Sequence, residues 1–200
     1  MMLSDAFRTR LYPLDTPIRD LPVGGYRPDP GHDAAVRPRP AAVLVPVTDE
    51  AEPRVLLTVR AAHLAKHAGQ VAFPGGGRDR LGETVVETAL REAHEETGLA
   101  PERVRPAGLL GRYDTITGFR MTAVVGWIDA GFEPVPDRNE VEVVFSVSLA
   151  RVRDPAAWRC DRLRWQDRTF EILTLDHPEH RIWGATAALL HDLGQRLGPG

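Results

Sequence analysis

The stretch from Gly77 to Leu99, GRDRLGETVVETALREAHEETGL, decides how the rest of the chain is read. Thr84 followed three residues later by Glu87 forms a capping box, with Thr84 as the N-cap of a helix. Gly98 supplies the stop. Between them, at about 100° per residue, Val86, Ala89, Leu90, Ala93 and Thr97 fall on one stripe that can pack against a core. Glu92, Glu95 and Glu96 fall together on an adjacent stripe. Like charges at this spacing weaken a helix by roughly 0.2–0.5 kcal/mol per pair. No Lys or Arg follows in the next turn to neutralise them. A hard divalent cation, Mg2+ or Mn2+, answers that need, because such ions share oxygen ligands among carboxylates, water and substrate phosphates. A solvated acidic face is the alternative for the glutamates taken alone.

The flanks favour the cation. Arg91 stands four residues after Glu87 and four before Glu95, where it can brace the carboxylates. Upstream, Pro74, Gly75, Gly76 and Gly77 make a turn of little bulk in which backbone amides can approach an anion. Taken together, Gly77, Glu83, Arg91, Glu92, Glu95, Glu96 and Gly98 resemble the Nudix box, G-x5-E-x7-R-E-U-x-E-E-x-G-U, at every fixed position. Its aliphatic positions U are Ala93 and Leu99, the first being small for that role. The resemblance implies hydrolysis of a nucleoside diphosphate linked to another group. It implies Mg2+ or Mn2+ held by Glu92, Glu95 and Glu96, a turn shaped by Gly77, and Glu83 and Arg91 keeping the carboxylates in place.

Composition narrows the setting. The chain has 200 residues and a formal net charge of -3, so length suggests one domain and charge gives no case for a nucleic-acid partner. Cys160 is the lone cysteine, which excludes an intramolecular disulfide and suits a reducing cytoplasm. The amino terminus lacks an uninterrupted apolar run of signal-peptide length and no later run matches a bilayer, so a cytoplasmic protein without a membrane partner is expected. Residues 4–11 read as a short helix. Residues 1–40 as a whole read as an arm, extended by Pro13, Pro17, Pro22, Gly24, Gly25, Pro28, Pro30, Gly31, Pro38 and Pro40. Such an arm either packs on the domain or reaches the second subunit of a homodimer. The domain is expected over 41–196, with a tail at 197–200.

From Ala41, AAVLVPVT and RVLLTVR are apolar runs of strand length, with Pro46 pointing to an edge or a bulge in the first. Ala61 to His67 reads as a helical turn. Strands follow in VRPAGLLGRYDTITGF, RMTAVVGWI and VEVVFSVSL, weaker ones in RLRW and TFEILTL, and GATAALLHDLGQRL is a closing amphipathic helix. This order suggests an α/β/α sandwich around a mixed β-sheet, which the Nudix fold also implies.

A second motif bears on the substrate. LLTVRAAHLAKHAGQVAFPGG, Leu56 to Gly76, is similar to the accessory signature of the coenzyme A pyrophosphatase branch of Nudix hydrolases. The similarity continues through ITGFRMTAVVGWI, NEVEVVFSVSL and IWGATAALL. Ala61 stands where Ser is frequent, and Ala65 where a basic residue is usual, with Lys66 next to it. Coenzyme A requires a neutralised diphosphate, a cationic site for its 3'-phosphate and an apolar channel. Arg60 and Lys66, with His67, are the candidates for the phosphates, and Gly75, Gly76 and Gly77 for the turn beside them. Ala130 to Asn139, containing Phe132, Pro134 and Pro136, either lines the channel or simply connects two strands. Glu140 matches a position that related chains use near the metals and is the choice of general base, with Glu142 on the same strand face by alternation. His63, His67 and His94 lack the geometry of a transition-metal site, and the four Trp read as packing residues. Other readings remain open: a pyrophosphatase of ADP-ribose or another nucleoside diphosphate derivative, or a nucleotide-sensing domain without turnover. RNA 5'-end processing would call for a basic groove, which the composition does not suggest.

Overall fold

The computed structural model describes residues 7–25, 38–165 and 168–198. In chain order its strands are β1 (Val23–Gly25), β2 (Arg39–Asp49), β3 (Arg54–Arg60), β4 (Val71–Ala72), β5 (Gly75–Gly77), β6 (Val104–Asp114), β7 (Phe119–Asp129), β8 (Val141–Ser148), β9 (Trp158–Trp165), β10 (Arg168–Asp176) and β11 (Arg181–Trp183). The helices are α1 (Val85–Thr97), α2 (Leu149–Arg153) and α3 (Gly184–Leu197).

β2 is the spine. It is buried from Ala41 to Thr48, and its alternation serves both faces of the sheet. Ala42 and Leu44 meet Val85, Ala89 and Ala93 of α1, while Val43, Val45 and Val47 meet Leu189, Leu190 and Leu193 of α3 in a cluster on the other face. β7 runs parallel to β2 along its whole length and divides its side chains in the same way, with Val124 and Ile128 towards α1 and Val125 and Trp127 away from it. Around this pair the sheet runs β1-β6-β7-β2-β3-β4, with β5 added to β2 and β8 to β3. A mixed sheet between helices is the α/β/α sandwich expected from the sequence.

Several expectations are corrected. Pro46 belongs to a central strand, not an edge. Leu44 sends its N–H to the Pro74 carbonyl at 2.9 Å, so the nitrogen two residues on faces the same side. There β2 pairs with β5 at Ala41 to Val43 and with β3 at Val47, and the proline falls in the gap between them, where no donor is required. The helical turn expected at Ala61 to His67 is limited to its start, where the Leu64 N–H donates to the Ala61 carbonyl, and bends follow. RLRW and TFEILTL do not extend the main sheet: β9, β10 and β11 form their own antiparallel sheet.

Of the helix expected at residues 4–11, Phe7 and Arg8 are helical and the next two form a turn, while 4–6 lie outside the described residues. Pro28, Pro30 and Gly31 of the arm also lie outside them. The described part of the arm, 7–25, packs on the domain. Phe7 and Leu21 are buried, Tyr12 pairs with Leu109, and β1 pairs in parallel with β6. Among the described residues no helix is long and apolar enough to cross a membrane.

Candidate active site

The acidic helix α1 starts and stops as its sequence dictates. Thr84 accepts from the Glu87 N–H while the Glu87 carboxylate accepts from the Thr84 N–H at 2.8 Å, which completes the capping box. At the other end Gly98 adopts φ 73°, the left-handed cap that glycine takes without strain, and donates to the His94 carbonyl. The buried stripe is Val85, Thr88, Ala89, Ala93, Glu96 and Thr97, with Val86 and Leu90 only partly covered. Glu96 therefore belongs to the buried face, not to a solvated one. His94 is exposed.

Arg91 gathers four of the expected residues. Its Nε and Nη2 donate to the two oxygens of Glu83 at 2.8 and 3.2 Å, and its Nη1 donates to Glu92 at 2.6 Å and Glu95 at 2.9 Å. Nη2 also reaches the Gly77 carbonyl at 3.5 Å. These bonds hold Arg91 firmly as a cation, with Glu83 contributing most, and in return they hold the Glu83 carboxyl below its ordinary range. The strand β5 lies against the same group: a Cβ placed on Gly76 would meet the Glu92 carboxylate, so a side chain there would push that carboxylate out of its present position.

Glu96 is 3% exposed. Its Oε2 accepts from the Gly75 N–H at 3.2 Å, and its Oε1 lies 3.8 Å from Nη1 of Arg60. Burial pushes its carboxyl up to about 8, against the pull of Gly75 and Arg60. Burial also raises Glu92. Glu140 is exposed, yet it lies close enough for its charge to act on both Glu92 and Glu96 in the same upward direction. The backbone explains this: the Glu140 carbonyl accepts from the Ala61 N–H at 2.9 Å, which ties it to the end of β3 beside Arg60.

One part of the sequence reading differs from what is seen. The repulsion among the glutamates is relieved in part by arginines, from Arg91 in the preceding turn and from Arg80, which reaches Glu95 at 3.0 Å. Arg80 sits at a variable position of the box, so its spacing carried no signal. Lys66, expected beside the phosphates, is exposed. The segment Ala130 to Asn139 connects β7 to β8 and packs Phe132 against the α1-side core. It also holds the C-terminal end of α1, through the Val135 and Asp137 amides.

With Glu92 and Glu95 turned to arginines, no three His, Cys, Asp or Glu among the described residues stand together as a ready metal site. The donors nevertheless suit Mg2+ or Mn2+. They are carboxylate oxygens throughout, and burial raises the carboxyls of Glu92 and Glu96 despite the nearby Arg91 and Arg60.

The NUDIX domain family matches residues 38–166 of this chain. The uncharacterized Nudix hydrolase NudL of Pectobacterium atrosepticum is 38% identical over 159 residues, covering 80% of this chain and 83% of that protein. The protein of the same description from Salmonella typhimurium is 37% identical over 172 residues, covering 86% and 89%. Among solved structures, a MutT/nudix family protein from Enterococcus faecalis superposes with a TM-score of 0.55 at 16% identity, covering 86% of this chain and 65% of that one. DR0079 from Deinococcus radiodurans gives 0.52, also at 16% identity, covering 80% and 87%. The two structures share the fold, and the sequence relatives share the family: the chain belongs to the Nudix hydrolases.

Proposed function

We propose that this Nudix hydrolase cleaves the diphosphate linkage of coenzyme A or an acyl derivative, releasing 3',5'-ADP and 4'-phosphopantetheine or its acyl form. One observation carries the reading. Arg60 and Gly75, from the stretch that resembles the coenzyme A branch, both meet Glu96 of the box, which supports reading the two motifs as one site.

Glu92, Glu96 and, once released by Arg91 and Arg80, Glu95 would hold Mg2+ or Mn2+, which supplies charge neutralisation at the phosphate oxygens and acidifies a bound water. Glu140 takes the proton as water adds to one phosphorus and the bond to the bridging oxygen breaks. Its exposure leaves the carboxylate open to solvent beside Glu92 and Glu96. Arg60 binds the diphosphate with Lys66 beside it, and Gly75, Gly76 and Gly77 let the phosphates approach closely. Arg91 and Glu83 position the carboxylates without touching substrate.

The test is product analysis by mass spectrometry after incubation with Mg2+ or Mn2+ against coenzyme A, ADP-ribose, NADH and diadenosine polyphosphates. Formation of 4'-phosphopantetheine and 3',5'-ADP, lost in Glu96→Gln, is the expected result. Turnover of another diphosphate with coenzyme A untouched would keep the chemistry and discard the substrate, with Ala65 in place of a basic residue as the leading reason.

A further inference from the structure

Arg60 and Arg91 approach the same helix in opposite ways. Arg91 uses its donors on Glu83, Glu92, Glu95 and Gly77. Arg60 carries the same five N–H donors, but among the described residues its guanidinium makes no hydrogen bond. Its Nε is buried without a partner, and its ion pair with Glu96 stands at 3.8 Å, beyond hydrogen-bonding reach. The backbone beneath it is fixed: its N–H donates to Gln70 and its carbonyl accepts from Gly69, both at 3.0 Å. The ladder between β3 and β8 shifts register between Val59 and Arg60, the kind of irregularity that re-aims a side chain. A pinned backbone thus presents a cation to a buried carboxyl group and leaves its hydrogen-bonding capacity unspent.

We propose that Arg60 is a resident counter-ion: it stands against Glu96, neutralises the carboxylate as its proton leaves, competes with an arriving divalent cation for it, and then turns its unused donors to the substrate diphosphate. The inference rests on the reading of Glu96 as a metal-binding carboxylate. Two cations at one buried carboxylate repel each other, so the arriving ion weakens the hold on Arg60. A displaced guanidinium needs planar oxygen acceptors, which a diphosphate offers in pairs. Metal and substrate are thereby coupled in order, the ion first and the diphosphate second.

The experiment measures Mn2+ affinity by electron paramagnetic resonance on the full chain, followed by binding of inorganic pyrophosphate with and without Mn2+. Arg60→Gln is expected to bind Mn2+ about tenfold more tightly than wild type, because a competing charge is gone. In the presence of Mn2+ it is expected to bind pyrophosphate about tenfold more weakly, because the paired donors are gone. Arg60→Lys, which keeps the charge, should stay within about twofold of wild type for Mn2+. Arg60→Met, which keeps the apolar stem, is read in the same way as Arg60→Gln should that variant not fold. A merely structural role would weaken metal binding, so unchanged or weaker Mn2+ affinity in the neutral variants overturns the proposal. Glu96→Gln separates the two layers. If it weakens Mn2+ binding while the neutral Arg60 variants do not tighten it, the counter-ion role alone falls. If it leaves Mn2+ binding unchanged, the metal reading of Glu96 falls and the counter-ion role falls with it.

Discussion

The Asp137 amide donates to the Glu96 carbonyl at 3.0 Å, and the same residue's carbonyl accepts from the amides of Glu140 and Val141 at 2.9 and 2.8 Å. One residue therefore links the buried carboxylate's own backbone to the turn that carries the exposed one. Asp137 also closes that turn through its side chain, which accepts from the Asn139 backbone amide and side-chain amide, both at 2.9 Å.

From this link follows a graded effect on turnover. Glu140→Gln removes the proposed base and should lower kcat by about 10²- to 10³-fold, within the range for general-base catalysis. Asp137→Ala leaves the base in place but loosens the turn, and should cost about tenfold, as expected for a supporting contact. Steady-state kinetics with saturating Mn2+ distinguish the two. Near-wild-type turnover in Glu140→Gln would remove Glu140 from the base role.

Arg91→Lys keeps the charge and loses the planar fork that grips both oxygens of Glu83 while reaching Glu92 and Glu95. Lys can supply one point of contact where Arg supplies several. The expected result is a fall in kcat of about 10- to 100-fold, the usual cost of losing a residue that orients ligands. The Mn2+ titration should weaken in parallel, because the carboxylates are no longer held in one arrangement. Equal kinetics for Arg91→Lys and wild type would show that charge alone is required.

Glu96 makes the metal-free protein pH-dependent in an unusual direction. Burial raises its carboxyl to about 8, above the ordinary value of 4.5 for an unfolded chain. Between those values the folded form holds a proton that the unfolded form has released, so stability falls as pH rises from about 4.5 to about 8. In chelator-treated protein, thermal unfolding of Glu96→Gln should therefore lose less stability over that interval than wild type. With Mn2+ the ionised form is favoured, and binding at neutral pH should release a proton, measurable by calorimetry in buffers of different ionisation enthalpy. Proton-neutral binding would contradict the protonated state of Glu96.

The acidic helix was legible because its determinants are local. Thr84, Glu87 and Gly98 set its ends within a few residues of each other, and the glutamate spacing follows from helical geometry. The burial of Glu96 was less so, because it depends on Gly75 and Arg60, which lie 21 and 36 residues upstream and arrive through β5 and β3. Pro46 misled for a related reason. A proline rule assumes one continuous neighbour on each side of a strand, and β2 has two short ones with a gap between them. The arm was read from its prolines and glycines, which describe backbone shape but not where Phe7, Leu11 and Leu21 go.

Phe7 gives the arm its thermodynamic weight. Its ring is 1% exposed and meets Trp127 of β7 edge-on, with ring centroids 4.7 Å apart. Trp127 in turn lies on the sheet face that α3 covers, so a residue near the start of the chain completes the same core as the closing helix. Phe7→Ala would leave a cavity beside a fully enclosed indole, and losses of this kind cost about 3–5 kcal/mol. Urea unfolding should show that loss as a lower midpoint with little change in slope, because the rest of the domain still unfolds as one unit. Since the described part of the arm, 7–25, contributes no residue to the acidic site, Mn2+ affinity at low temperature should stay close to wild type. A loss below about 1 kcal/mol, the scale of a surface substitution, would instead make 7–25 a peripheral attachment to the sheet.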